Sequence, residues 1–401
     1  MTQIYSEPAQ KTISINRLIG KIEGNPKDPT VVFFSGIHGN EKAGVFALEE
    51  VFGKINPEET KGTIYGILGN LKALEANRRY IDQDLNRLWT DQNLETLEKK
   101  KKQSVEEKEQ LELLKVLKNI MDSNKGPFYF IDLHTTSSKS APFITINDAV
   151  INRRFSKQFP VPIVLGIEEY LNGPLLSYIN SLGYMSLGFE SGQHDDVNSI
   201  TNSVAFIYLS LVFANVVNRE NIPDFEKYYK RLQIESKTKT GFFEIIDLHR
   251  IGQRESFKML NSFENFEFVK KNTPLAVSNL KNIESKYNAQ VFMPLYQAQG
   301  EEGFFIIRKI KPFFLKLSVI LRRLRVDGLL VLLPGISWAN SEKQILLVNL
   351  KTARFLAKPI FHLLGYRNRQ LDKAHLKLFN RERTAKTKMY KNESWYKSGK
   401  T

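Results

Sequence analysis

Apolar residues fall along this chain in two rhythms, and the rhythm changes with position. Up to about residue 220, short unbroken apolar runs alternate with stretches in which apolar positions recur every three or four residues. Val31, Val32, Phe33 and Phe34 in succession predict a buried strand over 30–35, and similar runs predict strands over 62–68, 128–133 and 184–189. Residues 43–52 read as a helix opened by a turn at Gly39 and Asn40. Strands alternating with helices predict an α/β fold, a mixed sheet flanked by helices.

Between 94 and 124 the chain is rich in Glu and Lys, with Leu113, Leu117 and Ile120 in an apolar stripe at helical spacing. This reads as a solvated surface helix inserted between strands. From 236 to 310 the runs shorten to β-type pieces: Gly241-Phe242-Phe243, Phe266 to Val269, and Gly303-Phe304-Phe305. A smaller β-rich second domain is expected there. From Lys311 the chain becomes basic and apolar together. Phe314, Leu317, Leu321 and Leu324 recur at helical spacing among Lys316, Arg322, Arg323 and Arg325, and 355–364 is apolar again before Arg367 and Arg369. The expected organisation is a catalytic domain over 1–235, a β-rich domain over 236–310, and a basic, mainly helical C-terminal extension over 311–401. For that extension the reading favours packing on the core or on a second protomer, with weak peripheral membrane contact as the alternative.

Composition narrows the chemistry. The 401 residues contain no cysteine, which excludes disulfides, thiolate metal sites and cysteine nucleophiles. The first eight residues hold no apolar core of a leader segment, and no apolar run is long enough to span a bilayer. A cytoplasmic setting is the expectation. The formal net charge of +15 suits attraction to anions, but nothing resembles a nucleic-acid motif, so no nucleic-acid partner is expected.

Only six histidines are present, and two of them follow apolar strands. His38 and Glu41 in Gly36-Ile37-His38-Gly39-Asn40-Glu41 are three residues apart, and His134 ends the run Phe130-Ile131-Asp132-Leu133. Two imidazoles and one carboxylate form the ligand set of a catalytic zinc with one position left for water. A helix beginning near Asn40 would aim His38 and Glu41 at one point, and Asp132 is placed to orient a ligand from behind. Glu190, between Gly188 and Gly192 just past another strand, is the candidate general base. Arg79 is the candidate for polarising a carbonyl. Asn86 and Arg87 are the candidates for holding a substrate carboxylate, Arg87 through two parallel hydrogen bonds. Asp82 and Asp84 are expected to buttress these arginines, and His194 is not assigned as a ligand.

Four segments together resemble the succinylglutamate desuccinylase and aspartoacylase family, within the wider zinc-carboxypeptidase-like fold. They are Gly36 to Glu41, Arg79-Tyr80-Ile81-Asp82-Gln83-Asp84-Leu85-Asn86-Arg87, Asp132-Leu133-His134 and the Glu190 segment, in the family's order. The resemblance implies one Zn2+ per protomer on His38, Glu41 and His134, and Glu190 as the base that activates water. It implies Arg79 at the carbonyl, and Asn86 with Arg87 on a carboxylate. Two departures are visible. Aspartoacylases carry an arginine shortly before the catalytic Glu, whereas Leu176 to Leu182 contains none, and a substrate-contacting tyrosine of the second domain has no clear match near Gly300 to Phe304. The implied activity is zinc-dependent hydrolysis of a small N-acyl amino acid, a carboxylate-bearing amide. The alternatives are a metallocarboxypeptidase or amidase acting on short peptides, and a non-catalytic binding protein on the same fold.

Overall fold

The computed structural model describes residues 2–236, 239–260, 263–349, 352, 358–370 and 375–397. The chain opens with a hairpin, β1 (Thr2–Ser6) against β2 (Lys11–Ile15). Seven strands follow in the first half: β3 (Leu18–Ile22), β4 (Thr30–Ser35), β5 (Thr63–Leu68), β6 (Phe128–Thr136), β7 (Phe143–Ile146), β8 (Ile163–Leu165) and β9 (Met185–Gln193). Next come β10 (Phe242–Arg250), β11 (Phe257–Met259), β12 (Phe268–Val269), β13 (Pro274–Ser278), β14 (Lys281–Glu284), β15 (Ala289–Phe292) and β16 (Glu302–Lys309). The last four are β17 (Ile336–Trp338), β18 (Ile345–Asn349), β19 (Tyr366–Gln370) and β20 (His375–Asn380).

Eleven of these strands form one mixed sheet in the order β12-β15-β16-β10-β8-β7-β9-β6-β4-β5-β3. Its centre is parallel, β5 to β4 to β6 to β9. The apolar runs make this centre: all six residues of β4 and of β5 are buried, as expected of parallel strands covered on both faces. The helices Ala43–Phe52 and Val197–Phe213 cover one face, where Phe189 of β9 stacks on Phe206 at 3.8 Å between ring centroids. The helix Val105–Ser123 covers the other through Leu113, Leu117 and Ile120.

A smaller β-rich domain is expected over 236–310; β10 to β16 fall in that stretch, and four of them continue the same large sheet: β10 pairs in parallel with β8, and β16, β15 and β12 extend it antiparallel. The other three, β11, β13 and β14, form a small antiparallel sheet.

The C-terminal region contains the expected helix, Pro312–Arg323, and also a four-stranded antiparallel sheet, β17-β18-β20-β19, around Ile336, Leu346, Tyr366 and Leu378. Phe355 of the expected apolar stretch, and the side chains of Arg367 and Arg369, lie outside the described residues. Two anchors join this region to the sheet. Arg322 is buried and binds Asp148 (2.9 Å) and Glu382 (3.0 Å). Tyr390, fully buried, donates from its hydroxyl to the Phe128 carbonyl (2.6 Å) and accepts from the Met185 amide (3.0 Å), while the Trp395 indole donates to the Tyr129 hydroxyl (3.2 Å).

Candidate active site

The parallel strands β4, β6 and β9 deliver their polar residues to one edge. Past the end of β4, Gly36 has φ +64°, and a Cβ there would sit 2.6 Å from a Leu74 methyl. Glycine turns the chain sharply and aims the following loop back over the sheet. Within it the Glu41 amide donates to the His38 carbonyl (3.2 Å), and the helix begins only at Ala43. A turn ahead of the helix therefore brings His38 and Glu41 together, where the sequence pattern suggested the helix itself. His134 and Glu190 lie within β6 and β9, not past their ends as the apolar runs suggested, because both strands continue beyond the apolar run, and they are paired across the ladder.

The side chains converge. His38 Nδ1 is 2.7 Å from Glu41 Oε1, and His134 Nδ1 is 2.9 Å from Glu41 Oε2. One donor atom from each of the three residues lies within 4.8 Å of the others, so the group is able to hold a metal ion. Behind them, Asp132 Oδ2 is 2.7 Å from His134 Nε2, and Asp84 Oδ1 is 3.2 Å from His38 Nε2. Each imidazole thus has a carboxylate on its far nitrogen, the arrangement that fixes the orientation of metal-bound histidines.

Electrostatics support the donor set. Burial opposes the charged form of Glu41, but the imidazoles of His38 and His134 outweigh it and hold the carboxyl well below its ordinary range. Burial likewise opposes charge on His134, yet Asp132 and Glu41 raise its pKa well above the usual value. Glu190 goes the other way: burial pushes it up to about 8, and its Oε2 has no hydrogen-bond partner among the described residues. Four carboxylates, Glu41, Asp84, Asp132 and Glu190, crowd a buried space that Arg79 and, at its edge, Arg87 only partly neutralise. A divalent cation suits such a cluster.

Arg79 turns inward and its neighbour Arg78 is exposed. Arg79 Nη2 donates to Asp84 (3.0 Å) and Nη1 to Glu41 (3.4 Å). Asp84 buttresses it as expected. Asp82 pairs with no arginine among the described residues; its carboxylate accepts the Val105 amide at the start of the helix Val105–Ser123. That helix is more than a solvated surface element. Its buried Glu106 accepts the amides of Ile81 (2.7 Å), Asp82 (3.1 Å) and Gln83 (3.2 Å) and so shapes the arginine-bearing loop. Arg87 is bound by Glu302 (3.0 Å), and Asn86 Oδ1 accepts the Leu175 amide (2.9 Å). His194 is held by the Thr135 hydroxyl (2.7 Å) and by Gln297 (3.1 Å). Sequence reasoning missed Glu106, Glu302 and Gln297, none of which sits in a local pattern that marks it.

His38, Glu41, Arg79, Asn86, Arg87, His134 and Glu190 all line one cavity of about 120 Å³. The candidate ligands, the candidate base and the three candidates for substrate contact are therefore brought to one place, whereas Asp82 is not.

Residues 27–203 match the family model described as Succinylglutamate desuccinylase/Aspartoacylase catalytic domain. A probable aspartoacylase from Nostoc sp. is 25% identical over 216 residues, 48% of this chain and 66% of that protein. A succinylglutamate desuccinylase from Pseudoalteromonas atlantica is 29% identical over 164 residues, 38% of this chain and 45% of that one. The matched stretch thus spans less than two thirds of these relatives. In three dimensions the chain resembles a succinylglutamate desuccinylase/aspartoacylase from Rhodobacter sphaeroides (TM-score 0.55, 15% identity, 77% of this chain and 94% of that one). It also resembles a succinylglutamate desuccinylase from Vibrio cholerae (TM-score 0.53, 17% identity, 77% and 90%). At these identities the structural likeness concerns the fold.

Proposed function

We propose, on the premise that residues 27–203 form a succinylglutamate desuccinylase/aspartoacylase catalytic domain, that this protein is a zinc-dependent hydrolase of small N-acyl amino acids. The observation that carries the reading is the convergence of the His38, Glu41 and His134 donors with the unpartnered Glu190 carboxylate in one buried cavity. His38, Glu41 and His134 would hold the Zn2+, which when bound would supply Lewis acidity at the site.

The remaining work falls to side chains of this chain. Glu190 takes the proton of the attacking water and returns it to the departing amine. Burial keeps Glu190 protonated near neutrality in the metal-free chain, so its service as a base depends on positive charge at the neighbouring donors. Arg79, buried and fixed by Asp84, presents its charge to the carbonyl oxygen as negative charge builds there. Arg87 and Asn86 receive the substrate carboxylate, with Glu302 holding Arg87 beforehand. The small cavity suits a small substrate.

A panel of N-acyl amino acids and dipeptides, assayed with zinc content measured in parallel, tests the reading. Turnover of acyl amino acids with about one zinc per chain is expected. Glu190→Gln should keep zinc and lose turnover by about 100-fold or more. Preference for dipeptides would favour a metallocarboxypeptidase. A Glu190→Gln variant near the wild-type rate would remove Glu190 from the mechanism.

A further inference from the structure

The helix Pro312–Arg323 is inverted relative to an ordinary surface helix. Its two buried side chains are polar, Ser318 and Arg322. The Ser318 hydroxyl donates to the Leu363 carbonyl (2.8 Å), and Arg322 donates to Asp148, to Glu382 and to the His362 carbonyl (2.8 Å). Leu315 and Leu321 are half-buried against the neighbouring apolar cores, but other large apolar side chains point outward. Phe313, Phe314, Ile320, Leu324, Leu329 and Leu332 are each 46–77% exposed, on this helix and the following turn Val326–Leu332. Six large exposed apolar side chains within twenty residues form a patch of the kind that marks an interaction surface.

Charge identifies the occupant. Lys311, Lys316, Arg323 and Arg325 are exposed among these residues, and none has an ion-pair partner among the described residues. The only acidic residue between 311 and 335, Asp327, is buried against Tyr366 (2.8 Å), Asn380 (3.1 Å) and Arg383 (2.8 Å). The outward face is therefore apolar and uniformly positive. A second copy of the chain meeting it by two-fold symmetry would oppose like charges. Nucleic acid would supply the negative charge and leave the leucines in water. A surface that is negative at its rim and apolar just beneath satisfies both features, and that is the interface of an anionic bilayer. No helix among the described residues is long and apolar enough to cross a membrane, so the contact is peripheral.

We propose that the face formed by Phe313, Ile320, Leu324, Leu329 and Leu332, with its rim of Lys316, Arg323 and Arg325, docks this protein on anionic lipid surfaces. The proposal concerns a face that includes none of the residues lining the catalytic cavity and stands whether or not the hydrolase reading does.

Co-sedimentation of the full chain with vesicles tests it, one set of phosphatidylcholine alone and one of equal parts phosphatidylcholine and phosphatidylserine. Binding to the mixed vesicles at low salt, weakening as salt rises, and little binding to phosphatidylcholine alone are expected. Leu324→Glu and Leu329→Glu place a charge where the chain already meets water, so both should fold, and each should weaken binding about tenfold or more. Equal binding by wild type and both variants, or no binding to the mixed vesicles, overturns the proposal. Light scattering is measured on the same samples without lipid. A dimer that Leu324→Glu converts to monomer would assign the face to a second copy and overturn the lipid assignment.

Discussion

Arg87 is not free to meet a substrate: Glu302 from β16 already occupies it at 3.0 Å. A substrate carboxylate arriving at Arg87 has to displace another carboxylate, and the strength of that contact sets how much affinity is withheld. A hydrogen bond between charged partners contributes about 1.5–3 kcal/mol. Both side chains keep some contact with water, 20% and 11% exposed, so the lower end applies, and about 1.4 kcal/mol corresponds to about tenfold in affinity. Glu302→Gln keeps the shape and removes the charge. It should lower KM for free-acid N-acyl amino acids about tenfold. Glu302 makes no hydrogen bond to His38, Glu41, His134 or Glu190, so kcat should move little. The same substrates with the carboxylate amidated should gain nothing, because they do not compete with Glu302. Steady-state kinetics on matched free-acid and amidated pairs reads both quantities. A KM that rises for the free acids would mean that Glu302 positions Arg87 for substrate, and an equal gain for amidated substrates would place the carboxylate elsewhere; either result refutes the competition argument.

His38→Ala or His134→Ala should lose metal and activity together, read by metal analysis of the purified variants; full zinc occupancy in either would discard the ligand assignment. For the metal-free chain, Glu190 has its folded pKa raised from 4.5 to about 8, so the folded state holds a proton that the unfolded state releases, and stability falls as pH rises through that window. Glu190→Gln, which cannot ionise, should therefore become more stable relative to wild type between pH 5 and pH 8 in urea unfolding of chelator-treated protein; parallel curves would contradict the burial argument. Arg322→Leu removes one of the two arginines on Asp148, Arg153 being the other, and takes the Arg322 ion pair from Glu382, so it should cost about 1–3 kcal/mol in the same assay; no measurable loss would show that Arg153 alone neutralises those carboxylates.

What the sequence made legible is what is local. Val31 to Phe34 mark a buried strand because a parallel strand covered on both faces has no reason to alternate, and a histidine just beyond such a strand stands out against it. His38, Glu41 and His134 could be named for that reason, and so could Glu190. Glu302 could not: it meets Arg87 across 215 positions, and a glutamate at the start of a strand looks like any solvated residue until the sheet is assembled. Glu106 looked like one more charge on a surface helix, yet it is buried because three backbone amides of the arginine loop need an acceptor. The sheet β17-β18-β20-β19 escapes sequence reasoning because its strands are only three to six residues long, β18 is an apolar run without alternation, and β19 has Tyr366 as its one apolar residue. The inverted helix Pro312–Arg323 was recognised as basic and amphipathic, but which face turns outward depends on the Arg322 ion pairs and so on tertiary structure.

Tyr390 ties together the starting ends of β6 and β9, the two strands that carry His134 and Glu190 at their other ends. During synthesis those strands emerge long before residue 390 does. Until then Phe128 and Met185 lack the hydroxyl that satisfies their backbone groups, and Tyr129 and Phe155 lack the Trp395 ring that covers them. The central sheet is thus completed by residues far along the chain, Tyr390 lying 205 positions beyond Met185, and until they arrive the strands keep an open apolar face. Contacts of such long sequence separation slow folding and lengthen the interval in which aggregation competes. A shortened chain ending after Lys309 would be held permanently in that interval, which makes point substitutions rather than deletions the way to dissect the C-terminal region.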